Sequence, residues 1–385
     1  MTHVFTYPWT VLAREPSTAI DTLAEAGVDG ITVASYYHSV QTLDPQSPES
    51  LFERFPGGCY FAPDSEKFAE TSIDPPTNEV YGENDAVRSL VDMATERDLV
   101  VGAWTVCMHN TRLGTANDQF RIQSAFGDSH DHALCPSYPE VQAYLAAVVK
   151  SLADRGVSRI DLESLGFPDV LHGHGQQFGH SKNHAISSPT GRVLLSQCGC
   201  EGCRTAAAEH PVDFKAAMAE VRRLCRESLA APDDPHPSFE ALTEEMDHLA
   251  DLISFRTSVI TDLVDQLAAV SGSVSLNYLV SDGLGHGPTD GVPAGVDLSR
   301  LSGLDSVTAL CYTSDTAIGR DCVETLRHSF DGQIHAAVTL DPDVTPTQKQ
   351  FERTVAAVQE VTPGSLFVYN HALMTEAHLS WLAGV

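Results

Sequence analysis

Glu163 occupies the position in this chain that most needs a chemical explanation. It lies in Arg-Ile-Asp-Leu-Glu-Ser-Leu-Gly-Phe (159–167), where the alternation of a strand places Asp161 and Glu163 on one face. A carboxylate in a segment rich in Ile and Leu is costly to bury unless it is paired. One explanation is that it points into an active site, and the other is an ion pair with Arg112 or Lys182.

A second carboxylate would be needed for Glu163 to work as an acid, base or nucleophile in sugar chemistry. Asp282, Asp315 and Asp341 each end a predicted strand, and we favour Asp315 because it lies two strands beyond Glu163. A separation of about 5–5.5 Å between the carboxyl groups would indicate double displacement, and about 6.5–9.5 Å a water-mediated inversion.

Aromatic, amide and histidine side chains also follow the predicted strands. Aromatic rings stack on sugar faces, whereas amides and imidazoles bond to hydroxyl groups. The other interpretation is that strand ends border polar loops and collect polar residues without a function. The residues that we expect to bind a substrate are Tyr37, His38, Trp104, His109, His172, His174, Tyr278, Tyr312 and Asn370.

The segment after the fourth predicted strand is the densest in histidine, with His172, His174, His180 and His184. Imidazole is a common metal ligand, so a metal site is one interpretation. Hydrogen bonds from these histidines to a substrate and a solvated loop without a role are the alternatives. The helical H-E-x-x-H context is absent, so the spacing does not decide among them.

Three cysteines follow in a C-x-C-x-x-C arrangement, Cys198, Cys200 and Cys203. A structural zinc takes four ligands, and Cys135 or one of the loop histidines would supply the fourth. The alternative is a group of reduced thiols that pack a loop. A redox role is disfavoured because no thioredoxin-like context surrounds the motif.

Eight apolar segments, nearly all followed by a helical pattern, must position these groups. This alternation predicts an α/β fold, a (β/α)8 TIM barrel with long βα-loop insertions, whose site lies at the carboxyl ends of the strands. A doubly wound sheet is the alternative, but no G-x-G-x-x-G or phosphate-loop motif follows a strand. We predict strands at 3–8, 30–38, 99–110, 159–167, 274–282, 306–315, 333–343 and 365–374.

The alternation runs through the whole chain, so we predict a single barrel domain over residues 1–385. Apolar residues at helical spacing predict one long helix over 242–267. Inserted loops are expected at about 39–84, 110–137 and 168–204, with a helical insertion at about 203–270.

The charge balance excludes several classes of partner. The chain has 52 Asp and Glu against 23 Lys and Arg, a formal net charge of −29, which repels phosphates and anionic lipids. Nucleic acids and membranes are therefore not expected partners, and a homo-oligomer is left open. No signal peptide or long apolar run is visible, which favours the cytoplasm.

Several motifs resemble those of an uncharacterised group of glycoside-hydrolase-like (β/α)8 proteins from bacteria and haloarchaea. The resemblance covers about residues 30–210 and implies a sugar-active barrel with Glu163 and the histidine-rich loop at its mouth, but no particular substrate. Gly199 departs from the group, which usually carries an aromatic residue there. The matching segments are Tyr37-His38 with Leu43-x-Pro45, Cys59-Tyr-Phe-x-Pro63, Ala133-Leu-Cys-Pro-Ser-Tyr-Pro-Glu140, Asp161-Leu-Glu-Ser-Leu-Gly-Phe167, the histidine-rich loop and Leu195-Ser-Gln-Cys-Gly-Cys-Glu-Gly-Cys-Arg204.

Three hypotheses for function follow. The first is a glycoside hydrolase or related carbohydrate-active enzyme with Glu163 as acid/base or nucleophile. The second is a metal-dependent sugar isomerase, epimerase or hydrolase, in which Glu163, His172, His174 and Asp282 or Asp315 hold a divalent ion. The third is a carbohydrate-binding barrel without catalysis.

Only five of the 23 cationic residues are lysine, which has two interpretations. One is adaptation to a salt-loaded cytoplasm, and the other is an ordinary acidic protein from a GC-rich genome. Under the first, the unfolding midpoint should rise in molar potassium chloride, because the Debye length falls to about 3 Å at 1 M salt. Equal stability in dilute buffer and molar salt would rule out the halophilic interpretation.

Overall fold

Eight parallel strands pair in chain order, and the last strand pairs with the first. The computed structural model describes residues 1–13, 16–47, 50–171, 185, 188–233, 236–281 and 291–383. Because the ring of pairings has no open edge, the predicted TIM barrel is confirmed and the doubly wound sheet is excluded. The barrel strands are β1 Thr2–Thr6, β2 Gly30–Tyr37, β3 Val100–Val106, β4 Arg159–Glu163, β5 Ser275–Leu279, β6 Ser306–Leu310, β7 Gln333–Thr339 and β8 Leu366–Tyr369.

Helices follow the strands and cover the outside of the barrel. The long helix predicted over 242–267 is divided at Met246, whose backbone is extended (φ −127°, ψ 100°). None of the helices within the described ranges is both long and apolar enough to cross a bilayer. The helices are α1 Pro8–Leu12, α2 Pro16–Glu25, α3 Ala86–Thr95, α4 Thr111–Ala116, α5 Pro139–Ala153, α6 Pro189–Leu195, α7 Glu201–Ala207, α8 Phe214–Ala230, α9 Phe239–Glu245, α10 Asp247–Ser271, α11 Thr316–Leu326, α12 Gln348–Gln359 and α13 Glu376–Leu382.

The loops after β2 and β3 carry additional strands. Val40–Leu43 pairs with Phe52–Phe55, and Arg121–Gln123 pairs with Ser129–Leu134, both antiparallel. Gly58–Cys59 adds an antiparallel pairing to the end of β2. Single-turn 3-10 helices lie at Asp118–Phe120, Val292–Ala294, Leu298–Arg300 and His371–Leu373.

Successive side chains of β4 lie on opposite sides of the barrel wall. Ile160 and Leu162 are fully buried in the apolar core. Arg159 and Asp161 face the interior, where the guanidinium Nε donates a hydrogen bond of 2.7 Å to the Asp161 carboxylate. Asn277 of β5 donates a second bond of 2.7 Å to the same oxygen, so the buried carboxylate is held by two neighbours.

Two histidines share this polar floor of the barrel. His3 stacks on Phe367 with 4.9 Å between ring centroids, and the Arg159 guanidinium lies 4.6 Å over the same ring. Burial and then the charge of Arg159 lower the pKa of His3 to about 3. The same two causes lower the pKa of His335 to about 4, against a smaller opposing effect of Asp161. Both imidazoles are therefore neutral at pH 7.

These pKa values predict a loss of stability in mild acid. A histidine in the unfolded chain takes up its proton near pH 6.5. In the folded chain, His335 is protonated only near pH 4 and His3 only near pH 3. Stability should therefore fall as the pH drops below 6.5, by about 2 kcal/mol per histidine at pH 5.

Urea unfolding at pH 7 and pH 5 checks this expectation. His3→Leu removes one titrating group, so it should lose about 2 kcal/mol less than the wild type between the two pH values. The exposed His328 supplies the control, and His328→Gln should keep the pH dependence of the wild type. An unchanged pH dependence in His3→Leu would contradict the assigned role of this floor.

Candidate active site and candidate metal centre

Glu163 ends β4 at the carboxyl end of the barrel, and its carboxylate accepts a hydrogen bond from the indole N–H of Trp104. The two atoms are 2.5 Å apart, and Trp104 is 3% exposed. The parallel register pairs Val106 of β3 with Glu163, which brings the Trp104 side chain alongside. A bond from a buried donor to a carboxylate is strong and fixes the orientation of the acceptor.

Arg112, one of the two cations considered as a structural partner of Glu163, is engaged elsewhere. Its guanidinium donates to the carbonyl oxygens of Gly57 and Thr77 and to the Asn78 side chain. Lys182, the other, lies outside the described residues.

An aromatic wall surrounds this carboxylate. Tyr37 meets Trp104 edge to face at 4.6 Å, and Tyr7 stacks on Trp104 at 5.9 Å. Tyr369 lies 5.9 Å from Trp104 and 5.7 Å from Tyr312, which closes the wall from the side of β8 and β6. The structure thus brings together three predicted site residues, Tyr37, Trp104 and Tyr312, around Glu163.

The pKa values of the four tyrosines in this wall are raised by their burial and by their nearness to Glu163. Burial raises the pKa of Tyr7, Tyr37, Tyr312 and Tyr369, and the negative charge of Glu163 raises each of them further. All four phenols are therefore neutral at pH 7 and keep their O–H groups as hydrogen-bond donors. The site combines one carboxylate with several neutral donors and aromatic faces.

Tyr7 and Tyr369 were not among the residues predicted from the sequence. A period of two along the strands would have found them, because it places Tyr7 on the side of His3 and Phe5, and Tyr369 on the side of Phe367. The ring of Phe5 indeed lies 5.9 Å from that of Tyr369. Tyr7 comes just after β1 and Tyr369 is the last residue of β8, so both reach the mouth.

The predicted histidines His38 and His109 lie beside this wall. The His38 ring lies 4.1 Å from that of Tyr37, and His109 stacks on His38 at 4.9 Å. Tyr278 is not brought to the mouth. It is fully buried next to Asn277, whose side chain fills the barrel interior, so alternation turns Tyr278 toward the helical layer.

The three aspartates differ in their placement. Asp315 is exposed and caps α11, where its carboxylate accepts the backbone N–H groups of Ala317 and Ile318. Asp341 lines a cavity of about 280 Å³ together with Tyr369 and Asn370. Of these two, Asp341 is therefore better placed to meet a ligand near Glu163. Asp282, His172 and His174 lie outside the described residues.

Four cysteine sulfurs converge on one buried point beneath the loops that follow β3 and β4. Cys135, Cys198, Cys200 and Cys203 are at most 1% exposed, and their sulfur atoms lie within 4.8 Å of one another. The sulfur of Cys135 is 3.5 Å from that of Cys203 and 3.8 Å from that of Cys198. The sulfurs of Cys200 and Cys203 are 3.6 Å apart. The predicted fourth cysteine thus joins the other three, and the cluster could bind a metal such as zinc.

The surroundings of this cluster affect its four sulfurs differently. The backbone N–H of Gln123 points at the Cys198 sulfur at 3.4 Å. Hydrogen bonds from the other thiols, first Cys135, lower the pKa of Cys200, whereas burial raises the pKa of Cys135 and Cys203.

A buried arginine adds positive charge to the same region. Arg256 of α10 is 1% exposed, donates to the Cys198 carbonyl at 3.3 Å and lies 4.3 Å over the Phe167 ring. Within the described ranges it has no carboxylate partner, and its Nε makes no hydrogen bond. A buried cation of this kind calls for a nearby anion.

Comparison with known proteins gives structural neighbours only. No protein-family model matches the chain, and no curated protein matches it. A β-galactosidase from the psychrophilic Marinomonas ef1 has a TM-score of 0.52 at 11% identity, over 96% of this chain and 54% of that one. α-L-Fucosidase isoenzyme 2 from Paenibacillus thiaminolyticus has a TM-score of 0.51 at 11% identity, over 99% and 48%.

An α-galactosidase from Lactobacillus brevis has a TM-score of 0.50 at 10% identity, over 99% of this chain and 39% of that one. The chain thus spans about half or less of the length of these three enzymes. At such identities the likeness establishes the barrel fold and leaves substrate and activity to the site itself.

Proposed function

We propose that the protein is a glycoside hydrolase or a closely related carbohydrate-active enzyme, with Glu163 as a catalytic carboxylate. The observation that carries the proposal is the Trp104–Glu163 hydrogen bond within a wall of neutral tyrosines at the barrel mouth. The structural neighbours, a β-galactosidase, a fucosidase and an α-galactosidase, support a sugar substrate at the level of the fold.

The chemistry of the site fits this reaction class. Trp104 fixes the orientation of the Glu163 carboxylate, which can then act on a substrate as nucleophile, base or acid. Neutral phenols donate to sugar hydroxyls, and the indole and phenol rings present faces on which a sugar ring stacks. Asp341 and Asp282 are the partners we consider for Glu163, and Asp315 is third because it already caps α11.

The rival hypothesis of a metal-dependent sugar isomerase, epimerase or hydrolase depends on His172 and His174, together with Asp282 or Asp315. Both histidines and Asp282 lie outside the described residues. The hypothesis stays a prediction with a direct test. If chelation of a divalent ion abolishes turnover while the cysteine cluster keeps its metal, the rival replaces our proposal.

We further propose that the cysteine cluster holds a structural zinc. A tetrahedral zinc with bonds of about 2.3 Å to sulfur requires sulfur–sulfur separations of about 3.8 Å. The observed 3.5, 3.6 and 3.8 Å agree with this requirement. Four thiolates around Zn²⁺ carry a net charge of −2, and Arg256 supplies a buried cation beside them. All four positions are filled by protein, so the site would be closed to substrate.

Replacement of Glu163 tests the proposed activity. Glu163→Gln removes the charge but keeps the shape and an oxygen that accepts from Trp104, so the fold should be retained. On aryl β-galactosides, α-galactosides and α-L-fucosides, we expect turnover of the best substrate to fall by at least about a hundredfold. Trp104→Phe should give a smaller loss, because it disturbs only the orientation of the carboxylate.

The control is Glu66→Gln, which makes the same change at an exposed position next to Lys67, whose side chain pairs with Asp154 at the end of α5. It should keep the turnover of the wild type. Full activity of Glu163→Gln on a confirmed substrate would contradict the assignment of Glu163.

Metal analysis of matched cysteine variants tests the zinc centre. The purified wild type should contain one zinc per chain, and Cys198→Ala should lose it, together with several kcal/mol of stability. Cys225 of α8 is buried outside the cluster, so Cys225→Ala should keep the metal. A protein that binds no zinc when refolded with it, or a Cys198→Ala variant that retains it, would contradict the centre.

A further inference from the structure

The cavity beside Tyr369 contains a buried hydrogen-bond donor without an acceptor. Asn370 is 2% exposed, and its side-chain oxygen accepts the backbone N–H of Ala372 at 3.0 Å. This bond fixes the orientation of the amide, so the opposite end must be the NH2 group. Within the described part of the chain, that Nδ2 atom makes no hydrogen bond of normal geometry, although Asn370 lies close enough to the Tyr369 phenol to lower its pKa against the larger rise caused by burial. An acceptor on a bound ligand would satisfy this donor.

The other walls of the cavity complete a set of polar contacts. Asp341 contributes a carboxylate, which acts only as an acceptor. His378 lies on the facing wall, and its Nδ1 accepts the backbone N–H of Thr375 at 3.3 Å. The proton of the neutral imidazole is therefore on Nε2, which remains available as a donor.

The remaining lining is Thr339 together with apolar surface from Leu340, Pro342, Leu373 and the Tyr369 ring. At about 280 Å³ the cavity is just below the range of about 300–1,000 Å³ typical of pockets for larger ligands. The cavity therefore fits one small ring that has apolar faces and carries hydroxyl groups. Tyr369 also borders the Glu163 wall, so the cavity adjoins the candidate active site.

We infer that this cavity is a subsite for one neutral sugar unit, with Asn370 and His378 as donors and Asp341 as acceptor. The inference rests on the proposed function and names its substrate class. The described lining contains no lysine or arginine that could pair with a sugar carboxylate or sulfate. Burial lowers the pKa of His378, so this histidine is also neutral at pH 7. Together with the Asp341 carboxylate, this lining selects against anionic sugars.

Titration of the wild type with matched sugars, followed by ligand-observed NMR at pH 7, tests the selectivity. D-Galactose, D-glucose and L-fucose are the neutral probes, and D-galacturonate and D-glucuronate are their charged counterparts. At least one neutral sugar should bind, and its uronate counterpart should bind at least about tenfold more weakly. Binding of uronates as tight as that of the neutral sugars, or no binding of any neutral sugar, would overturn the subsite.

Two fold-preserving variants locate the binding. Asn370→Asp keeps the oxygen that caps Ala372 but removes the N–H donor, and His378→Glu keeps the capping box of α13 but removes the imidazole donor. Each should weaken the neutral sugar at least about tenfold. His378→Glu should keep a thermal midpoint near that of the wild type, whereas Asn370→Asp is expected to lower it because it buries a carboxylate. His378 is only partly buried, so the second variant remains informative if the first is unstable.

A matched pair of aspartates controls for charge. Asp341→Asn should weaken binding, whereas Asp343→Asn, an exposed neighbour outside the cavity, should not. Unchanged sugar affinity in Asn370→Asp and His378→Glu would overturn the subsite even if Glu163→Gln is inactive. Sugar binding that these variants abolish, in a protein without any glycosidase turnover, would support the subsite and refute the proposed hydrolase.

Discussion

Three charged side chains of one strand, Arg159, Asp161 and Glu163, enter the barrel interior in succession, and the surrounding structure is arranged around them. Burying a charge is costly unless it is paired and hydrogen-bonded. Arg159 and Asp161 neutralise each other at the floor, with a further bond from Asn277. Glu163 comes two residues later, at the mouth, where Trp104 donates to it. Closure of the barrel fixes the register of this strand, because a shift of one residue would turn all three side chains outward.

The floor and the mouth have different chemical characters as a result. At the floor, His3 and His335 stay neutral beside a permanent cation, and hydrogen bonds occupy both oxygens of Asp161. This is the character of a structural core. At the mouth, Trp104 donates to the Glu163 carboxylate beside neutral tyrosines, and the NH2 group of Asn370 borders the adjoining cavity. A buried donor beside a carboxylate and aromatic rings is a place where a ligand acceptor can bind.

The cysteine cluster ties the loops of this end together. Cys135 follows the hairpin of Arg121–Gln123 and Ser129–Leu134, whereas Cys198, Cys200 and Cys203 lie just before and within α7. Gly199 donates its backbone N–H to the Gln123 carbonyl at 2.8 Å, and a Cβ atom there would lie 3.3 Å from the Ser124 carbonyl oxygen. This close approach of two backbones leaves little room for a side chain at Gly199. A metal at this point would join the loops of β3 and β4, the two strands that carry Trp104 and Glu163.

Much of the fold could be predicted from the sequence, because each barrel strand is a short apolar segment followed by a helical pattern. The inward direction of Glu163 followed from alternation within one strand, and the same rule would have found Tyr7 and Tyr369 and turned Tyr278 outward. Asp315 shows where strand position alone misleads, since an aspartate before a helix also serves as an N-cap.

Other features depend on contacts between distant segments and could not be read from local spacing. The hairpin that carries Cys135 to the other three cysteines is one such feature. The cavity formed by Asp341, Asn370 and His378 is another, because these residues come from three different elements whose packing no local pattern encodes.

The central claim is that Glu163 and the cavity beside Tyr369 form one sugar site. A crystal structure of the wild-type protein soaked with the neutral monosaccharide that binds in solution tests it most directly. The account predicts a sugar in this cavity, with an oxygen within about 3 Å of the Asn370 amide and its anomeric carbon directed toward the Glu163 carboxylate. A sugar bound elsewhere, with the cavity empty and Glu163 out of reach of it, would contradict the account.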